Sequence, residues 1–146
     1  AVIERMPEAG ERVLAREIVA TVRQALIDVV ERGSGRRVRG AFADSAGNEL
    51  SIGGKTGTGD HRYERYGAGG QVIESRVVNR TATFAFFIDD RFFGVMTAYV
   101  HGPEAAKYRF TSALPVQLLK TLAPALRPLL EPSRVHTARA STVSAL

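Results

Sequence analysis

The chain has no cysteine and no tryptophan, and of its 20 basic residues only Lys55, Lys107 and Lys120 are lysine. Without cysteine there is no disulfide framework and no thiolate metal site, and the redox compartment is left open. A long apolar run is missing too. The most hydrophobic stretch, 81–88 with 92–100, is broken by Asp89, Asp90 and Arg91, which excludes the ~20-residue apolar span of a membrane helix; the chain is expected to be soluble. It begins Ala1-Val2-Ile3-Glu4, with neither a basic start nor a signal-peptide core, so targeting information is expected upstream or not at all. No serine is followed three residues on by lysine, and no Ser-x-Asn occurs.

What is present is a chain of 146 residues, 45% hydrophobic, with a net charge of +5. That is the size and composition of one globular domain. About 70% of its unfolded surface would be buried if it is a complete folding unit. The positive charge raises the question of nucleic acid, because clustered cations release counterions on binding phosphates. Only Arg36, Arg37 and Arg39 are dense, and no aromatic residues are interleaved for base stacking. A nucleic-acid partner is therefore not expected. His61, His101 and His136 are scattered at spacings that make no zinc motif, and no cofactor is implied.

Apolar residues at Leu14, Ile18, Val22, Leu26 and Val30 follow the period of a helix burying one face, over 13–32. Gly33 and Gly35 then predict a stop through the left-handed cap that glycine adopts freely. Residues 36–50 contain the turn chemistry of Asp44-Ser45-Ala46-Gly47-Asn48 and suggest a short hairpin. Residues 50–58 form a strand dense in glycine, which implies close approach to its backbone, and 59–70 reads as a loop. A hairpin follows, 81–88 and 92–100, with Asp89 and Asp90 as turn residues. The apolar character of both its faces predicts layers on each side, with Phe84, Phe86, Phe87, Phe92 and Phe93 as core. Leucines at 114, 118, 122, 126 and 130 predict a last helix from about Ser112, with Pro115 tolerated in its first turn and Pro124 and Pro128 bending or fraying the far end. Residues 131–146 read as a tail. The fold class is α/β, an antiparallel sheet of at least three strands with flanking helices.

One segment carries chemistry. Gly53-Gly54-Lys55-Thr56-Gly57-Thr58 places a cation, two hydroxyls and bare backbone on one strand, the ingredients of an anion-binding edge. It is not a phosphate loop. No glycine stands at the required distance before Gly54-Lys55-Thr56, and Gly57 and Gly59 make a poor helix start.

Lys-Thr-Gly is the third motif of penicillin-binding proteins and serine β-lactamases. The preceding Leu26-Ile27-Asp28-Val29-Val30-Glu31-Arg32-Gly33-Ser34-Gly35 also resembles the segment that leads into that strand in bifunctional (class A) penicillin-binding proteins, and the hairpin and last helix follow in the family's order. Residues 1–130 thus resemble the C-terminal portion of a penicillin-binding transpeptidase domain, the resemblance covering about 13–130. It implies a peptidoglycan D,D-transpeptidase or carboxypeptidase acting on D-alanyl-D-alanine stem peptides and acylated by β-lactams. The parent would be periplasmic or extracytoplasmic, anchored in the cytoplasmic membrane and accompanied by a glycosyltransferase domain. By the same resemblance Lys55 and Thr58 are catalytic, Thr56, Gly57 and Thr58 bind substrate, and the N–H of Thr58 is an oxyanion donor. The Ser-x-x-Lys and Ser-x-Asn motifs lie upstream in the family. This segment alone is therefore expected to be inactive, with an unpaired sheet edge that the remainder of the domain would cover. The competing expectation is a catalytically silent module of the same fold that binds cell-wall peptide. Tyr63 and Tyr66 are placed beside the presumed cleft, with loop packing as the plainer role.

Overall fold

A computed structural model describes residues 13–90 and 92–130; the segment read as a tail lies outside the described residues. The architecture is α/β. Helix α1 (Arg16–Glu31) is followed by a 3-10 turn at Arg36–Val38 and strands β1 (Ile52–Tyr66), β2 (Val72–Ile88) and β3 (Phe92–His101). A second 3-10 turn at Pro103–Lys107 leads to helix α2 (Ala113–Leu130). The sheet is antiparallel in the order β1-β2-β3, so β1 and β3 are its edges.

Residues paired across the sheet share a face, and side chains alternate along each strand. The register Ile52↔Ile88, Thr56↔Phe84 and Phe84↔Met96 puts Ile52, Phe84, Phe86, Ile88 and Met96 on one face. There they meet Val116, Leu119 and Ala123 of α2, together with Val30, Val38 and Phe42. Phe84 and Phe86 stack at 5.7 Å between ring centroids. Burying such a side chain is worth about 1.5–3 kcal/mol, so this face is the core.

Among the described residues the opposite face is covered only by α1, over β1 and the adjoining end of β2. Phe87 lies there beneath Arg23, 4.5 Å from guanidinium carbon to ring centroid. Phe93, expected in the core, is 70% exposed, and its facemates Val95 and Tyr99 are exposed with it. Among the described residues, the two-layer cover predicted for the whole sheet is therefore present over β1 and absent over β3.

In α1 only the C-terminal half of the predicted stripe, Leu26 and Val30, is covered, and in α2 the buried stripe lies beside the predicted leucine row, of which Leu126 and Leu130 still pack on the core. Leu14, Ile18 and Val22 remain exposed while Val30 is buried, because α1 meets the sheet through its later turns, Ile27 near Gly53 of β1 and Arg23 over Phe87 of β2. In α2 the buried positions are Pro115, Val116, Leu119 and Ala123, whereas Leu114, Leu118 and Leu122 are exposed. The leucine row is a flank of this helix, not its seat. The helix continues past Pro124 and Pro128 to Leu130.

Two further expectations change. Gly33 and Gly35 do not take positive φ. They are glycines because an added Cβ would lie 2.9 Å from the backbone of Val29 at Gly33 and 3.1 Å from its carbonyl oxygen at Gly35, and the N–H of Gly35 donates to that same carbonyl. The predicted loop 59–70 is largely strand: β1 stays in the three-stranded sheet to His61 and then continues with β2 as a two-stranded ribbon paired from Arg62↔Val77 to Tyr66↔Val72, closed by a turn with Gly70 at φ 77°. Within 36–50 the short hairpin shrinks to one bridge, Ala43↔Glu49, held by the Asp44 carboxylate accepting from the N–H groups of Ala46 and Asn48.

Candidate functional site

Lys55, Thr56, Gly57 and Thr58 lie in the first half of β1, on the outer strand of the sheet. Just before it, Asp89 donates its N–H to the carbonyl of Ser51, and the N–H of Ser51 donates to the Asp89 carboxylate. Position 51 therefore faces β2. In an antiparallel ladder backbone groups alternate between facing the neighbour and facing away, so 53, 55 and 57 also face β2. Thr56 and Thr58 turn their N–H and C=O groups toward the open edge.

Side chains divide the same residues by face. Thr56 and Thr58 project on the α2 side, and Lys55 on the α1 side. The Lys55 ammonium donates to the outward carbonyl of Thr56 at 2.8 Å. It has no ion-pair partner among the described residues, which leaves two of its three donors available.

The hydroxyls are held from outside the strand. Thr56 Oγ1 lies 2.6 Å from Ser34 Oγ, tying the strand to the turn after α1. Thr58 Oγ1 accepts the backbone N–H of Ser112 at 2.8 Å, so its own proton is free to be donated. Ser112 immediately precedes α2, whose N-terminal end carries partial positive charge favourable to an anion. Arg80 fixes this approach segment. With its side chain only 15% exposed, it pairs with Asp60 at 2.8 Å, donates to the Phe110 carbonyl and lies over the Phe110 ring.

The glycines do separate jobs. A Cβ on Gly53 would meet the Phe87 ring at 2.2 Å and the Ile27 backbone nitrogen at 3.0 Å, and one on Gly54 would meet the Ala85 carbonyl at 2.4 Å and the Phe84 ring at 2.6 Å. Those two admit the protein's own helix and core. At Gly57 an added Cβ finds nothing within 4 Å, so no close approach among the described residues accounts for that glycine. The resulting edge offers outward N–H groups, two fixed hydroxyls, a cation and an unobstructed backbone position. It suits an extended anionic chain laid alongside it.

Other sequence candidates fall elsewhere. Tyr63 and Tyr66 sit far along the ribbon, Tyr63 opposite Arg76. Tyr66 donates to Glu64, whose hydrogen bond and negative charge raise the phenol above its ordinary value. Asp89 and Asp90 form the turn; Asp89 has φ 49°, and Asp90 pairs with Arg23 at 3.0 Å. His61 contacts Asn79 at 2.9 Å, and His136 lies outside the described residues. Sequence reading missed Ser34, Ser112 and Arg80 as supports. Ser34 stood between two glycines, a visible signal; the other two have none, because their partners are 20 to 54 residues away. No protein-family model matches the chain, and no curated protein matches it.

Proposed function

We propose that this chain is the C-terminal part of a peptidoglycan D,D-transpeptidase domain and supplies its substrate-binding strand. The observation that carries the proposal is the β1 edge: Thr56 and Thr58 present N–H groups outward with their hydroxyls fixed on one face, and the other face is open at Gly57. A stem peptide ending in D-alanyl-D-alanine would lie antiparallel to β1, its terminal carboxylate accepting from the Thr56 and Thr58 hydroxyls. Lys55 contributes positive charge. A serine supplied by the upstream part of the domain attacks the penultimate D-alanine carbonyl, and the oxyanion accepts from the N–H of Thr58. The tetrahedral intermediate collapses with loss of D-alanine, and an amine from a neighbouring strand, or water, releases the acyl group. β-Lactams would acylate the same serine.

The uncovered surfaces support membership of a larger domain. Leu14, Ile18 and Val22 on α1, and Phe93, Val95 and Tyr99 beside the β3 edge, expose apolar groups that a free-standing sheet would be expected to cover or charge. Intact-mass spectrometry after incubation with benzylpenicillin, on this chain and on the protein extended upstream by about 200 residues, tests the proposal. An adduct on the extended form alone supports it; no adduct on either removes the enzymatic reading.

A further inference from the structure

Where the ribbon leaves the core, the register slips between His61 and Arg62: His61 pairs with Asn79 and Arg62 with Val77, leaving Val78 as the extra residue of a bulge. Bulges bend a strand and redirect its side chains. Here the Val78 carbonyl accepts the N–H of Gly102, which draws the 3-10 turn Pro103–Lys107 beneath the ribbon. Between them lies a cavity of about 610 Å3, within the range of small-molecule sites. Val77, Val78, Pro103 and Ala106 supply apolar wall and Arg62 and Ser75 the polar side chains, whereas Arg76 and His101 contribute backbone, their side chains lying over Tyr63 and Tyr99 on the other face.

The charge balance defines what fits. Arg76 lies outside this balance, over Tyr63 and 3.8 Å from Glu74 on the opposite face. Arg62 spends only its Nε, on Ser75 Oγ at 3.0 Å, a hydroxyl that in turn donates to the Glu64 carboxylate at 3.4 Å; the terminal nitrogens of Arg62 have no partner among the described residues. We infer that this cavity binds a small organic carboxylate, with an apolar body against Val77, Val78, Pro103 and Ala106 and its head group on Arg62. One guanidinium with its terminal nitrogens unpaired among the described residues matches a single negative charge, and its planar fork matches a carboxylate. A phosphate monoester, with nearly two charges at neutral pH, matches less well. The site does not depend on the transpeptidase reading.

The test is a titration of the 15N-labelled full chain, followed by amide shifts, with phenylacetate, its neutral isostere phenylacetamide, and phenyl phosphate, each to about 20 mM, where a millimolar site nears saturation. Saturable shifts confined to Val77, Val78, Gly102 and Ala106 are expected with phenylacetate. Binding should weaken at least about fivefold for the amide and for Arg62→Gln, whose own spectrum reports whether it is folded. Phenyl phosphate binding more tightly than phenylacetate would overturn the assignment. So would equal binding of the amide, an unaffected Arg62→Ala and Arg62→Gln pair, or shifts that never saturate.

Discussion

Alanine at Gly53 and at Gly57, four residues apart on one strand, should change stability in opposite directions. At Gly53 the new methyl would sit 2.2 Å from the Phe87 ring and 3.0 Å from the Ile27 backbone. The ring has to turn, and it carries Arg23 with it, which stacks on Phe87 and binds Asp90 and the Asp89 carbonyl. Overpacking of this kind costs about 1–3 kcal/mol, offset by the 0.4–1 kcal/mol or so that alanine gains by restricting the unfolded chain. The net loss is about 1–2 kcal/mol. At Gly57 nothing lies within 4 Å, so only the gain remains. With a urea slope of about 1.5 kcal/mol per molar, the Gly53→Ala midpoint falls by ~1 M, and that of Gly57→Ala stays level or rises by up to ~0.5 M. Circular dichroism through a urea series reads both. A Gly53→Ala midpoint at or above that of the parent, or a Gly57→Ala loss equal to that of Gly53→Ala, would refute the assignment of the two glycines.

Phe84→Ala should cost about 3–5 kcal/mol because its ring fills the core, whereas Phe93→Ala, on the uncovered face, should stay within about 0.5 kcal/mol; thermal melts compare them. Arg80→Ala should cost about 1–2 kcal/mol through the lost Asp60 pair and Phe110 hydrogen bond, with amide exchange speeding up at 108–112 more than in α1. Asp44 is held below its ordinary value of 3.8, chiefly by the Asn48 side chain and then the Asn48 N–H. A depressed carboxyl stabilises the fold above its unfolded pKa and loses that contribution as pH falls through the folded one. Asp44→Ala should therefore flatten the acid side of the stability profile below about pH 4 and leave the neutral region with a constant offset.

The elements that bury one face were readable in advance, because burial imposes a period. That holds for α1, the β2–β3 hairpin and α2. Which positions are buried was less readable: the Leu114, Leu118, Leu122 row and the Val116, Leu119, Ala123 row both recur at helical spacing, and only the neighbouring Phe84 and Phe42 decide between them. The ribbon was missed because its two strands are solvated on both faces, so nothing forces alternation; cross-strand pairs such as Arg65 with Glu74 and Arg76 over Tyr63 hold it instead. In the candidate site the residues proposed to carry the chemistry, Lys55 to Thr58, were legible as a motif. Their division between two faces, and the outward turn of Thr56 and Thr58, required the register with β2. The anchors Ser34 and Ser112 required the tertiary fold.

The central claim is that the β1 edge stabilises an acyl-transfer transition state, and the rate of acylation by a fluorescent penicillin on the upstream-extended protein tests it most directly. Lys55→Ala and Thr58→Val should each slow acylation by about 10–100-fold while leaving the urea midpoint within ~0.5 M of the parent. Acylation at the parent rate in both variants would contradict the account.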